Sequence, residues 1–336
     1  MNKQKPVRLR DLAFELNLSV STVSRAMSGK GRISDKTRAR VLKAIKKSNY
    51  TPNDVARSLR MQNAMSIGII VTDITNSFFA SVIKGAQSVS REKGYSILLS
   101  NSDENILYEA EAMQLMLEKQ VSGLILASVG NNGPRIDQFR SLNIPIVFID
   151  NTPEPITSFD SVSTDNHKAA YCLTTRLIEK GYREIGMITG PLNQSSGRQR
   201  YEGFQSAMNE HGAPLRAEWI REGDFQMESG MVLMRRILET ARPPRAVIIS
   251  NNYMTYGAAK TIKRMGKSIP DDVALASFDT DDPTSLSSPT IASMNQPAVE
   301  IGTKAAEILI NRLTAKQPLP HANLVLEPVF TDGDSW

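Results

Sequence analysis

The chain has a single cysteine, Cys172, among its 336 residues, so no internal disulfide can form and a reducing cytoplasm is the expected setting. A buried small hydrophobe is the plain expectation for that side chain. Histidine is almost as scarce: His167, His211 and His321 are too scattered for metal-ligand spacing, and each is expected at the surface or at a helix end. No apolar run approaches the roughly 18 residues that a membrane span needs. The opening Met1-Asn2-Lys3-Gln4-Lys5-Pro6 is charged and lacks the apolar stretch of a secretion signal. A phosphate-cradling glycine loop and a G-x-S-x-G elbow are also missing. These gaps argue against an enzyme, and neither catalytic residues, a cofactor nor a metal is expected.

What is present is a chain long enough for two or three domains. Its composition, 40% hydrophobic, supports packed cores and leaves no tract that reads as disordered. The net charge of +5 is unevenly placed: residues 1–60 hold 15 Lys and Arg against 4 Asp and Glu, and residues 61–336 hold 25 against 31. A basic module on an acidic body is the pattern of a nucleic-acid-binding segment joined to a globular domain. A solvated charged face is the plainer alternative.

Within the basic segment, Leu9, Leu12, Ala13 and Leu16 recur at helical spacing. Asn17-Leu18 breaks the pattern, and Asn tolerates the left-handed backbone of a tight inter-helix turn. Ser19 suits the N-cap of a second helix from about Val20 to Met27, with Val23 and Ala26 inward. Ser34 suits the cap of a third, whose Val41, Ala44 and Ile45 face the core. Two short helices across a tight turn, closed by a third, make a helix-turn-helix unit. The second helix exposes Val20, Ser21, Thr22, Ser24 and Arg25, a surface able to enter a major groove: Arg reads guanine, hydroxyls hold phosphates, and an apolar tip meets a thymine methyl. A generic three-helix bundle with hydroxyls on its wet face would show the same periodicity.

The run Leu12-Ala13 … Leu18-Ser19-Val20-Ser21-Thr22-Val23-Ser24-Arg25-Ala26-Met27, followed by Ile33-Ser34, Thr37-Arg38 and Asn49-Tyr50-Thr51-Pro52-Asn53, resembles the headpiece of the LacI/GalR family. Asn17 departs from the usual Gly of that turn. The resemblance adds Ser28 and Thr37 to the DNA-facing residues. It also identifies Pro52–Arg60 as similar to the family's hinge, with Asn53, Ala56, Arg57 and Leu59 as further DNA-contacting positions. A helix this short is marginal alone, so the hinge is expected to fold on DNA. The resemblance implies that Leu59 wedges into the central base step, which exchanges unstacking for a bent site.

Beyond residue 61, apolar strand-like runs (Ile67–Val71, Tyr95–Ser100, Gly123–Ala127, Ile146–Ile149, Ile185–Thr189, Ala246–Ser250, Val273–Ser277) alternate with amphipathic stretches. That alternation predicts α/β architecture with parallel sheets covered on both faces. The resemblance implies two Rossmann-like lobes of the type I periplasmic-binding-protein kind. The expected domains are 1–51 (headpiece), 52–61 (hinge) and 62–336 (effector-binding and dimerisation domain). One lobe is placed at about 62–162 and 293–322, the other at about 163–292 and 323–336.

Ligands of parallel α/β sheets sit beyond the carboxyl ends of the strands. The residues that follow the apolar runs include Thr72-Asp73, Ser128, Asp150, Gly190, Asn251-Asn252 and Asp279, with Arg198, Arg200 and Asp224-Phe225 in nearby loops. Carboxylates, amides, arginines and an aromatic face suit a polyhydroxylated ligand, although Asp and Asn also cap helices there. The resemblance maps effector-binding positions onto Phe78, Phe79, Asp150, Arg200, Phe225, Asn251, Asp279 and Gln296, and Arg198 is kept beside them. Asn252 stands where the family commonly has Asp. Gln194 stands where its purine-responsive members use Arg, which turns the expectation toward a sugar or sugar derivative.

The reading is therefore a cytoplasmic, nucleoid-associated repressor without membrane contact, binding a palindromic operator as a homodimer under control of a small sugar-like effector. A sugar-binding protein of a transport system is the alternative, disfavoured by the basic headpiece.

Overall fold

The structure, a computed structural model, describes residues 9–28, 33–48, 65–130, 132–153, 158–280 and 288–336. They fall into two compact units, Met1–Ala64 and Met65–Trp336. The segment expected as a hinge, with Asn53, Ala56, Arg57 and Leu59, lies outside the described residues.

The first unit holds α1 (Leu9–Glu15), α2 (Val20–Ser28) and α3 (Asp35–Ser48). Ala13, Leu16, Val23, Ala26 and Val41 form its buried core, flanked by Leu9, Leu18, Ala44 and Ile45. The turn after α1 is built on Asn17, whose φ of 51° is left-handed. The Leu18 amide then reaches back to Ala13 O (2.9 Å), which satisfies a terminal carbonyl in the Schellman manner. Arg40 of α3 donates to Leu16 O (2.9 Å) and so fixes the third helix against the turn. Ser19 and Ser34 cap α2 and α3 through Thr22 N (3.1 Å) and Thr37 N (3.3 Å).

The second unit contains two six-stranded sheets. The first-lobe strands are β1 (Ser66–Val71), β2 (Ser96–Asn101), β3 (Gly123–Leu126), β4 (Ile146–Ile149), β5 (Asp160–Thr164) and β11 (Asn323–Leu326). They lie in the order β11-β5-β4-β3-β1-β2, all parallel. The second-lobe strands are β6 (Ile185–Thr189), β7 (Ile220–Glu222), β8 (Ala246–Ile249), β9 (Ala274–Phe278), β10 (Ala292–Asn295) and β12 (Val329–Thr331). Their order, β12-β10-β9-β8-β6-β7, repeats the first, except that β12 runs antiparallel.

Helices α4 (Ser77–Glu92) and α11 (Ala298–Thr314) cover one face of the first sheet, and α5 (Ile106–Glu118) and α6 (Gly133–Ser141) the other. In the second lobe α7 (Asn166–Glu179) and α8 (Ser195–Glu210) face α9 (Met227–Leu238) and α10 (Asn252–Arg264) across the sheet. The uninterrupted burial of β3, β6, β8 and β9 is what two-sided cover requires. Cys172, on α7, is only partly buried and packs beside the core of that lobe.

The crossings between lobes differ from the expected boundaries. β10 lies in the second sheet, with Ala292 and Met294 paired to Ala276 and Phe278, while β11 lies in the first, with Asn323–Leu326 paired to Ser161–Thr164. The returning chain therefore crosses at about 296–297 and again at about 327–328, not at 293 and 323. The first crossing follows β5 at Thr164. Arg312 of α11 pins this region, donating to the buried carboxylate of Asp160 and to Leu319 O and Pro320 O.

α4 and α11 approach closely at Gly85 and Gly302, where a β-carbon on Gly302 would collide with Val82 O. Gly302→Ala should therefore force the helices apart and cost about 1–3 kcal/mol. Urea unfolding of the variant checks this, and an unchanged midpoint would contradict it.

Candidate functional site

On the headpiece, α2 buries Val23 and Ala26 and leaves Val20, Ser21 and Arg25 exposed, with Thr22 and Ser24 half-buried beside them. Thr37 is half-buried, its hydroxyl bonded to Ser34 Oγ (2.9 Å). Ser28 is the last residue of α2, and its side chain lies outside the described atoms. One helix thus presents a short polar surface and a single arginine, the shape a major groove admits.

In the second unit a cleft lies between the lobes, at the carboxyl ends of the strands. It is lined by Phe78, Phe79, Asp150, Arg200, Phe225, Asn251, Asp279 and Gln296, each expected from the sequence. Arg198 is not among its walls. It lies two residues from Arg200 on α8, roughly 200° around the helix, and its guanidinium faces Glu202 (3.9 Å). Thr72, Asp73, Asn76, Glu104, Ser196, Gln226, Asn252 and Tyr253 complete the lining. Glu104 was not anticipated because β2 continues to Asn101, one residue past its apolar run, and the loop beyond it was not read as a strand end.

Arg200 is the centre of the site. It is 2% exposed, with Nε donating to Asn166 Oδ1 (2.7 Å) and Nη1 to Ser250 O. Its guanidinium carbon lies 4.3 Å from the Phe278 ring centroid, and Nη2 lies 3.9 Å from Asp279 Oδ2. Burial lowers its affinity for a proton, and the carboxylates of Asp279 and Asp150 oppose that effect. Asp279 in turn accepts from Gln296 N (2.9 Å) and Gln296 Nε2 (3.0 Å). Three residues of the lining carry a buried atom without a hydrogen-bond partner among the described residues: Thr72 Oγ1, Arg200 Nη2, a donor, and Gln296 Oε1, an acceptor.

Phe225 adopts φ of 65°, an unusual conformation for a bulky side chain. Its ring occupies the space a β-carbon on Gly190 would take, and Asn251 Nδ2 holds its carbonyl (2.8 Å). Asn251 also accepts from Met254 N (3.0 Å) as the cap of α10, so its amide positions its neighbours. Asp150 and Asp279 are left-handed as well, at 59° and 58°. Each follows the fourth strand of its sheet. Phe78 and Phe79 stack edge to face at 4.9 Å and are mostly core, turning only an edge to the cleft.

Bonds between lobes frame the cleft. Asn76 and Asn252 exchange amide hydrogen bonds (3.1 and 3.0 Å), and the hydroxyls of Thr75 and Tyr253 lie 2.8 Å apart. Asn151 donates to Gln194 Oε1 (2.9 Å) and accepts from Ser196 N (2.9 Å), while Gln194 Nε2 donates to Glu104 (3.1 Å). The amide of Gln194 is therefore occupied at both ends.

Burial pushes the Glu104 carboxyl up to about 7, reinforced by the negative charges of Asp150 and Asp73. Burial likewise raises Asp150 to about 6; Arg200 opposes this and Asp279 adds to it. Among the described residues no group of three or more His, Cys, Asp or Glu could hold a metal, and no helix is long and apolar enough to cross a membrane.

A helix-turn-helix unit on the same chain as two doubly wound lobes defines a class, the DNA-binding regulators built on a periplasmic-binding-protein-like body. Residues 8–53 match the family described as bacterial regulatory proteins, lacI family, and residues 64–325 match the periplasmic binding proteins and sugar binding domain of LacI family. The chain is 31% identical to the HTH-type transcriptional repressor PurR of Escherichia coli O139:H28 (strain E24377A / ETEC) over 333 residues, covering 97% of each. Among solved structures it resembles the lac repressor dimer bound to operator and the anti-inducer ONPF (TM-score 0.86, 23% identity, 98% of this chain and 99% of that one). It also resembles the transcriptional regulator CelR in complex with cellobiose (TM-score 0.75, 25% identity, 98% of this chain and all of that one). The chain belongs to the LacI family, and it is a DNA-binding transcriptional regulator, not an enzyme.

Both raised carboxyls bind more protons folded than unfolded, Glu104 from its ordinary 4.5 up to about 7 and Asp150 from 3.8 up to about 6. Their contribution to stability is complete below the lower values and is lost as pH rises through the upper ones. Glu104→Gln should therefore melt above the unaltered protein at pH about 7.5, with the gap closing toward pH about 5. A gap independent of pH in thermal unfolding would count against this electrostatic account.

Proposed function

We propose that the protein is a repressor whose hold on a palindromic operator is controlled by a small sugar or sugar derivative bound between the two lobes. The single observation that carries the effector reading is the pair of unsatisfied atoms in the cleft, Arg200 Nη2 and Gln296 Oε1. Buried polar atoms without partners are costly, and one is a donor while the other is an acceptor. A hydroxyl group answers both. Phe225 supplies one accessible ring face, which suits the apolar side of a sugar; a planar base would profit from a second, and Phe78 and Phe79 are committed to the core. Gln194 has no free amide group to offer a ligand. CelR bound to cellobiose supports the same reading.

In this reading Val20, Ser21 and Arg25 select bases, Thr22, Ser24, Ser28 and Thr37 hold the backbone, and residues 52–61 form the hinge, with Asn53, Ala56, Arg57 and Leu59 on DNA. The lac repressor dimer on its operator supports assembly of two chains on DNA, and the body is the part proposed to join them, in the cytoplasm and on the nucleoid. Effector binding biases the lobe arrangement only through differential affinity, typically about 1–3 kcal/mol.

The reading is tested by gel shift against genomic fragments and by a thermal-shift screen of sugars, in which ligand at 100 times its dissociation constant adds about 2.7 kcal/mol. Arg200→Ala should abolish the ligand response, and Arg198→Ala, outside the cleft, should retain it; equal responses in the two would overturn the cleft assignment. Leu59→Ala should weaken operator binding far more than binding to random DNA, because a wedge acts only where the central step can kink. Equal losses on both DNAs would remove the wedge.

A further inference from the structure

The cleft has a lopsided charge. Among the described residues its lining contains four carboxylates, Asp73, Glu104, Asp150 and Asp279, and one cation, Arg200. That cation is already answered: Asp279 lies 3.9 Å from Nη2, and Asp150 acts on it as well. At the Glu104 end the contacts are neutral, Gln194 Nε2 at 3.1 Å, and the charges it feels are those of Asp150 and Asp73. Asp73 spends Oδ1 on Thr75 N and Thr75 Oγ1 (2.8 and 2.7 Å).

An independent observation indicates what the ligand must bring. Gln296 lines the cleft and is 9% exposed, and its buried Oε1 has no partner among the described residues. It is an acceptor, so it requires a donor. Arg200 Nη2 apart, the lining is rich in acceptors, and a ligand has to supply O–H or N–H groups to satisfy Gln296 Oε1. A carboxylate or phosphate could answer Arg200 Nη2, but it leaves Gln296 Oε1 unmet and adds negative charge to a partly dehydrated space already lined by carboxylates, where like charges repel strongly.

We propose that the cleft selects its effector by charge: the ligand is a polyol that is uncharged or carries a basic amine, and its carboxylated and phosphorylated counterparts are rejected by Glu104 and Asp150. This rests on the cleft being the effector site, and it makes Glu104 a specificity-determining residue. Rejection works through repulsion as well as through lost contacts, the device by which closely related ligands are commonly told apart. A single hydroxyl-to-acid change then outweighs the identity of the sugar ring.

The test uses the full-length protein and matched sets of probes: glucose, glucosamine, gluconate and glucose phosphate, with the corresponding forms of galactose and ribose, each titrated by calorimetry. In whichever set binds, the neutral or amino member should bind about tenfold or more tightly than the two anionic members. Glu104→Gln combined with Asp150→Asn should narrow that gap by raising the affinity for the anionic members. An anionic member binding as tightly as its neutral parent overturns the charge rule and leaves the cleft as a sugar site. An unchanged gap in the double variant removes Glu104 and Asp150 as its cause. Binding by no member of any set removes the sugar reading and this inference with it.

Discussion

The buried guanidinium of Arg200 is the constraint on which the second lobe and its cleft are arranged. Taking such a charge out of water costs several kcal/mol unless partners surround it, and the partners come from separate elements. Asn166 opens α7, Ser250 follows β8, and Asp279 follows β9, while Phe278 offers its ring face. These elements must converge in register for the charge to be tolerated, which makes the strand ends of this lobe a single unit. Asp279 extends the unit by gripping Gln296 at both its backbone and its side-chain amide. Gln296 is where the chain leaves for the first lobe, so the charge network reaches the crossing itself.

The two sheets repeat one strand order, and the repetition explains the electrostatics. Asp150 and Asp279 follow equivalent strands and share a left-handed backbone, a conformation Asp tolerates better than most residues. Each lobe therefore aims a carboxylate into the cleft, but only the second lobe supplies an arginine there. Two acids sharing one base cannot both be fully compensated. Asp279 has two hydrogen bonds from Gln296, while at Asp150 burial outweighs the pull of Arg200 and, with the charge of Asp279, raises its proton affinity.

Much of this was legible from sequence because it follows from periodicity and from position. Continuous apolar runs located the central strands, and reading past their ends reached Asp150, Asn251 and Asp279. Asn17 was recognisable as a turn residue because few side chains accept its backbone. The crossings were not legible. Ala292–Asn295 and Asn323–Leu326 are short and largely polar or exposed, so the partner strand alone decides which sheet takes them, and that is tertiary information. Arg198 was kept beside Arg200 because sequence proximity does not distinguish faces two residues apart on a helix. Glu104 escaped notice because polar residues end β2, leaving no apolar boundary from which to count.

The lobes are joined across the cleft by neutral groups: amide to amide at Asn76–Asn252 and Asn151–Gln194, hydroxyl to hydroxyl at Thr75–Tyr253. Each such bond contributes only about 0.5–1.5 kcal/mol net, because water offers nearly equivalent bonds when the lobes part. Gln194–Glu104 brings in an ionisable group, and its strength varies with the protonation of a carboxyl raised to about 7; Asp150 and Arg200 also act on each other across the cleft. A cleft closed by ion pairs would be locked or strongly salt-dependent. A cleft closed by amides and hydroxyls lies near balance, where differential binding of about 1–3 kcal/mol is enough to change the dominant arrangement. The polar, uncharged character of these contacts is what would leave the decision to a ligand in the proposed reading, while the partners of Arg200, drawn largely from the second lobe, do not depend on those contacts.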